Sequence, residues 1–311
     1  MKKRIREILL VMPDNLRTIL GKAFEQTTEV EEIRLRTGRP LIIGASGGNF
    51  AVLSSGNISP AIGGAYIVNE TDIKRIFSQI CDNSVYAHTE EIKKGYITIK
   101  GGHRVGFSGK AVMSGDDVEN IRDINSINLR IASQRLGMAS EYINDILKNR
   151  QVKNTLVVSP PCCGKTTLLR DLTRQISNSG VKVSVIDERG EISAMHRGVP
   201  QNDIGVQTDV IEDAPKAKAI EIMLRSMSPN VIVCDEIATE EDIKALKRCF
   251  GAGVGVIASA HAGSFEEIKN RSLIKPILGE NGFKKIIVLR RNDESISKRI
   301  TGEIYEVQSD I

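Results

Sequence analysis

The residues best suited to chemistry in this 311-residue chain lie together in Ser159-Pro160-Pro161-Cys162-Cys163-Gly164-Lys165-Thr166-Thr167. The apolar run 155–158 precedes them and an amphipathic stretch follows, so the segment reads as a loop joining a strand to a helix. Backbone N–H groups of such a loop converge on phosphate oxygens, helped by the roughly +0.5 charge of a helix start. Lys165 is placed to bind β- and γ-phosphates and Thr166 to give its hydroxyl to Mg²⁺, which makes ATP with Mg²⁺ the expected ligand pair. The loop departs from G-x-x-x-x-G-K-[ST], because Ser159 stands where the first glycine belongs. Where Ser159 or Cys162 needs a positive φ, strain of about 1 kcal/mol or more should weaken binding. Cys163, beside the helix start, is either a reactive thiol or a small neutral filler.

Downstream, Val231-Ile232-Val233-Cys234-Asp235-Glu236 reads as a buried strand that delivers two carboxylates at its C-terminal end, where α/β sheets bind ligands. Alternation sends the two in different directions. Asp235 is expected to hold Mg²⁺ through water and Glu236 to orient or deprotonate the attacking water. A second acidic strand end, Asp187-Glu188-Arg189, offers Glu188 as a competing base or as an ion-pair partner of Arg189. Both acidic strands are expected to flank the phosphate-binding strand. His261, in Ala258-Ser259-Ala260-His261-Ala262-Gly263, can sense the γ-phosphate or be an ordinary polar residue at a strand end. Arg225, at a helix end before Ser228-Pro229, either reaches a neighbouring subunit's phosphate or caps its own helix.

Positioning these groups requires alternating strands and helices. Strands are predicted at 155–158, 181–186, 231–234, 254–259 and 285–289, and helices at 166–177, 215–227, 240–250 and 264–273. That alternation is the signature of parallel βαβ units covered on both faces. The first part reads differently. Alternation at 33–35 and 41–43 around Thr37-Gly38-Arg39-Pro40 suggests two strands. Asn69 or Thr71 caps a helix carrying Ile73, Ile76, Phe77 and Ile80, and a second helix ends at Gly95. Residues 96–99 and 104–107 read as a hairpin, 113–125 as a loop, 127–131 as a strand and 140–149 as a helix. The expected fold class is therefore α/β, with an α+β N-terminal domain at 1–135, a linker and helix at 136–153 and a P-loop domain at 154–311.

Composition sets the outer limits. Lys and Arg total 43 against 39 for Asp and Glu, and this scattered +4 is too small to imply nucleic acid. Aromatic residues are 4% with no tryptophan, which counts against stacking on single strands, so a nucleic-acid-remodelling ATPase ranks second. A nucleotide-binding scaffold with little turnover is a third reading, prompted by Ser159 and Cys162. The longest weakly apolar stretch, 252–260, is half a bilayer span, so any membrane role is expected to be peripheral in a cytoplasmic protein. Five cysteines without CxxC spacing read as reduced thiols.

With these residues in hand, the chain resembles the sporulation stage III AA family of the type II/IV secretion ATPase superfamily. The resemblance is carried by Gly95-Tyr96-Ile97-Thr98-Ile99, Gly101-Gly102-His103-Arg104-Val105-Gly106, Gln201-Asn202-Asp203-Ile204-Gly205 and Thr208-Asp209-Val210. Arg225-Ser226-Met227-Ser228-Pro229-Asn230-Val231-Ile232, Asp235-Glu236-Ile237 and Ala258-Ser259-Ala260-His261-Ala262-Gly263-Ser264 complete it. It implies a RecA-like C-terminal motor, a ring usually of six subunits with ATP near subunit boundaries, and a functional His261. It also implies arginines of the N-terminal domain that reach the nucleotide, for which Arg104 and Arg130 are the candidates. By the same resemblance the protein would act in the mother cell of a sporulating bacterium, with membrane proteins of a channel complex to the forespore as partners.

Overall fold

The computed structural model describes residues 2–27, 30–45, 47–82, 84–280, 282–291 and 300–307. Two compact units emerge, 1–133 with 196–201 and 134–195 with 202–311.

The first unit opens with helices α1 (Lys2–Leu10) and α2 (Asp14–Gln26) and then strands β1 (Val30–Arg36), β2 (Ile42–Ala45), β3 (Gly48–Val52) and β4 (Ile58–Ser59). Helix α3 (Glu70–Ile80) starts at a capping box in which Asn69 accepts from the Asp72 N–H and Asp72 accepts from the Asn69 N–H. It buries Ile73, Ile76 and Ile80, the face read from its spacing. After α4 (Thr89–Lys93) come β5 (Tyr96–Ile99), β6 (His103–Ser114) and β7 (Asp117–Arg130), which complete an antiparallel sheet in the order β4-β3-β2-β1-β7-β6-β5. The expected loop at 113–125 is instead the outer half of the long β6–β7 hairpin, paired from Arg104 opposite Arg130 to Ser114 opposite Asp117 with two register shifts on the way. Its polar composition and two register shifts break up the alternation a half-buried strand shows, although Ile121 and Ile124 pack against the core.

The second unit holds α5 (Ile143–Ile146) and the short ribbon β8 (Leu147–Lys148) and β9 (Gln151–Val152) where one helix over 140–149 was expected. Asn149 and Arg150 adopt φ of 50° and 61°, the left-handed pair a two-residue hairpin turn requires, and that ends the helix. Then follow β10 (Thr155–Ser159), α6 (Lys165–Asn178) and β11 (Val183–Asp187), next the ribbon β12 (Met195–His196) and β13 (Val199–Pro200), of which 196–201 belongs to the first unit, and β14 (Thr208–Glu212). The chain continues through α7 (Lys216–Ser226), β15 (Val231–Glu236), α8 (Glu240–Gly251), β16 (Gly255–His261), α9 (Phe265–Lys269), β17 (Lys285–Arg291) and β18 (Ile300–Glu306). The seven-stranded sheet runs β14-β11-β15-β16-β10-β17-β18, parallel except for the antiparallel edge strand β18. Strands β10 and β11 are buried at every residue, as a sheet covered on both faces demands.

Sequence reading placed both acidic strands next to the phosphate-binding strand. The observed neighbours of β10 are β16 and β17, with β15 one strand further out and β11 beyond it. Crossover connections between parallel strands carry no local mark of order, so hydrophobic runs alone cannot reveal it. No described helix is long and apolar enough to cross a membrane. The five cysteines are unpaired.

Candidate nucleotide site

The loop 159–164 leaves the C-terminal end of β10 and enters α6, whose first turn carries Lys165, Thr166 and Thr167, all half-buried. Helix α6 forms here because Leu168, Leu169, Leu172 and Ile176 recur on one buried face. Gly164, at the cap of α6, has φ 81°, and an added Cβ would stand 2.8 Å from Ile300 Cδ1. Of the two positions expected to need permissive backbone, only one does. Cys162 is at φ 59°, whereas Ser159 is a buried residue of β10 in register with His261. The strain attributed to Ser159 is therefore absent, because that residue still belongs to the strand. Its hydroxyl donates to the Pro160 carbonyl at 2.6 Å. Pro160 and Pro161 are exposed at the mouth of the loop, and the buried Cys163 thiol donates to the Pro161 carbonyl at 3.5 Å.

Lys165 folds back over this loop. Its ammonium donates to the Ser159 carbonyl at 3.1 Å and to His261 Nδ1 at 2.8 Å. Burial lowers its pKa below that of an ordinary lysine, against the opposing pull of the Glu236 carboxylate. A lysine ammonium can only donate, so Nδ1 accepts from it, and Nε2 of the same ring faces Glu236 Oε2 at 3.4 Å. Arg189 Nη1 meets the same carboxylate oxygen at 3.5 Å. The start of α6 and the ends of β16 and β15 thus deliver a continuous row from Lys165 through His261 to Glu236.

A register shift between Val233 and Glu236 aims this row. Such a bulge re-aims the side chains at a strand end. Asp235 is turned inward and 9% exposed, and burial raises its pKa above the usual carboxylate range. Asp235 Oδ1 is buried without a hydrogen bond, although Lys216 Nζ stands 3.1 Å away off the bonding direction. An unsatisfied carboxylate oxygen at a strand end of the sheet that carries the phosphate loop suits Mg²⁺, which takes one or two carboxylates and leaves its remaining positions to water and phosphate. No larger set of His, Cys, Asp or Glu able to cage a metal occurs among the described residues.

The second acidic pair divides its roles. Asp187 is fully buried and accepts from the N–H groups of Glu191, Ile192 and Ser193 at 2.9, 3.2 and 2.8 Å, which makes it a loop anchor. Glu188 is half-exposed and pairs with Lys216 Nζ at 3.3 Å rather than with Arg189. Lys216 went unnoticed in the sequence, since a lysine after Pro215 looks like any first residue of a helix. A lysine between two acidic strands was the only available signal. Arg225 lies at the other end of α7, about 14 Å along the axis from Lys216, and does not join this row within the chain. Arg104 and Arg130 sit opposite each other in the first unit, with the Arg104 guanidinium 4.5 Å over the Tyr96 ring.

The model of the family described as sporulation stage III, protein AA matches residues 1–310. The chain belongs to that family. Stage III sporulation protein AA of Bacillus subtilis (strain 168) is 39% identical over 294 residues, covering 92% of this chain and 91% of that protein. Among solved structures, the Legionella pneumophila ATPase DotB aligns with TM-score 0.62 at 17% identity, over 94% of this chain and 82% of its own. The pilus retraction motor PilT aligns equally well, with TM-score 0.62 at 15% identity over 94% of this chain and 83% of its own. At these identities the likeness speaks for the fold alone, which this chain shares with the ATPase DotB and the retraction motor PilT.

Proposed function

We propose that the chain binds ATP with Mg²⁺ at residues 159–167, hydrolyses it, and works as a ring of copies that energises a channel complex between mother cell and forespore. The observation that carries the chemical part is the row Lys165, His261 and Glu236 at the start of α6 and the ends of β16 and β15, with the orphaned Asp235 oxygen on the same strand end as Glu236. Bound Mg²⁺ would neutralise phosphate charge. Thr166 and Asp235 are the residues that would hold it. Backbone N–H groups of 162–167 bind phosphate, and Lys165 exchanges its internal acceptors for phosphate oxygens. Glu236 accepts the proton of the attacking water. Parallel strands lie about 4.8 Å apart, so β15 sits about 10 Å and β11 about 14 Å from β10, which favours Glu236 over Glu188 for that task.

His261 reports occupancy. When phosphate draws Lys165 away, Nδ1 loses its donor and the ring that touches Glu236 is freed to turn. Arg225, Arg104 and Arg130 are assigned to charge neutralisation at a nucleotide, Arg225 on a neighbouring copy. The sporulation setting follows from family membership. Native mass measurement with and without ATP, paired with hydrolysis assays with and without single-stranded DNA, tests this reading. Nucleotide-dependent rings and turnover indifferent to DNA are expected. A monomer at all nucleotide concentrations, or turnover that requires DNA, would contradict it.

A further inference from the structure

Lys216 occupies a place that general physics makes unfavourable for a cation. It is the first residue of α7, where the helix dipole is positive, and its side chain is only 4% exposed. Its ammonium lies 3.1 Å from Asp235 Oδ1 and 3.3 Å from Glu188 Oε2, and it donates to the Glu236 backbone carbonyl at 2.5 Å. The three partners come from two separate strand ends, and two of them belong to the pair that closes β15. A buried ion pair adds little net stability over apolar packing, so stability alone gives weak reason for a lysine here.

We propose that Lys216 is a built-in counter-ion that stands in for the divalent cation at Asp235 while the site is empty. The inference rests on the reading of Asp235 as the carboxylate that faces Mg²⁺. In the empty site the ammonium offsets Asp235 and Glu188, which would otherwise repel each other across β15 and β11. A divalent ion arriving alone meets a fixed positive charge 3.1 Å from the buried Asp235 Oδ1. A divalent ion arriving with a triphosphate brings its own compensating negative charge. Lys216 then keeps Glu188 and the Glu236 carbonyl, neither of which the metal needs. The residue is a positioning and gating group. It makes metal uptake depend on nucleotide, and it ties the acidic strand ends to the start of α7.

The test uses the full chain, with Mn²⁺ as a spectroscopic substitute for Mg²⁺ and free Mn²⁺ followed by electron paramagnetic resonance in the absence of nucleotide. Lys216→Met keeps the length of the side chain without its charge. It should bind Mn²⁺ at least about tenfold more tightly than the unsubstituted chain, because one nearby like charge has been removed. Lys216→Arg should stay within about threefold of the unsubstituted chain. Metal-free binding of a fluorescent ADP should be unchanged in both. A merely structural role would loosen metal binding in Lys216→Met, so unchanged or weaker Mn²⁺ affinity overturns the proposal. Should Lys216→Met lose its fold, the double change Lys216→Met with Glu188→Gln removes one charge of each sign and keeps Asp235. It must then show a gain of the same sign, smaller because a negative charge is also lost, and absence of any gain counts against the proposal. Loss of ADP binding by the unsubstituted chain would instead overturn the reading of the site, independently of Lys216.

Discussion

Replacing Glu236 by glutamine tests the division of labour between the two acidic strand ends. The amide keeps the size and hydrogen-bonding capacity of the side chain and removes its basicity. Loss of a general base costs about 10² to 10⁴ in rate, or about 2.7 to 5.4 kcal/mol of transition-state stabilisation. The structure limits what else the change can do. Glu236 meets Arg189 and His261 at 3.5 and 3.4 Å, and those partners are 64% and 37% exposed. Solvent-screened pairs of that kind contribute about 0 to 1 kcal/mol, a factor of roughly five at most. Glu188 also lies about one strand spacing further from β10 and is engaged by Lys216 at 3.3 Å. Glu236→Gln should therefore lower kcat by about a hundredfold or more with ATP affinity unchanged, while Glu188→Gln should lower it by less than about tenfold. Single-turnover hydrolysis with a parallel binding titration measures both. If Glu188→Gln abolished turnover and Glu236→Gln spared it, the strand-spacing argument would be wrong. Equal losses would mean that both carboxylates act on one water.

Further outcomes follow from particular residues. His103 is fully buried, its Nδ1 accepts from the Ala132 N–H, and burial together with Arg4 pushes its pKa down to about 4. The unfolded chain, with an ordinary histidine pKa near 6.5, takes up the proton first. Stability should therefore be full above about pH 6.5 and fall by up to about 3 kcal/mol as pH drops toward 4. Urea unfolding across that window measures the fall, and an undiminished slope in His103→Gln would refute the assignment. Cys162→Gly relieves a left-handed residue, worth about 1 kcal/mol, but gives the unfolded chain about 0.4 to 1 kcal/mol of entropy. Its net stability change should thus stay within about 1 kcal/mol, and Ser159→Gly should bring no gain in nucleotide affinity. A larger affinity gain in Ser159→Gly than in Cys162→Gly would contradict the loop geometry. Gly205→Ala should destabilise by about 1 to 3 kcal/mol in thermal melts, since its Cβ would stand 2.5 Å from Ser177 Cβ at φ 90°. An unshifted melt would show that the segment 202–205 yields.

Much of the site was legible because its parts are local. The strand, loop and helix around Lys165 leave a mark within a dozen residues, and so do the acidic end of β15 and the small residues around His261. What escaped is non-local. The order of parallel strands, which separates Glu236 from Glu188, is decided by crossovers with no residue-level signature. Lys216 becomes meaningful only when α7 brings it beside two strands distant in sequence. The β6–β7 hairpin was missed for a different reason. Its outer half is mostly polar and its register shifts twice, so composition that reads as a loop is compatible with a paired ribbon. The helix expected at 140–149 failed at Asn149 and Arg150, whose left-handed backbone no apolar periodicity reveals.

The central claim is that residues 159–167 cradle nucleotide phosphates, and it stands or falls on Lys165. Calorimetric titration of the unsubstituted chain and of Lys165→Ala with ATP and Mg²⁺ tests it directly. One charged donor to phosphate contributes about 1.5 to 3 kcal/mol, so affinity should fall by about ten- to a hundredfold. The thermal melt without nucleotide should barely move, because Lys165 makes only loop contacts and one bond to His261 there. Equal ATP affinity in the two proteins would contradict the account at its base.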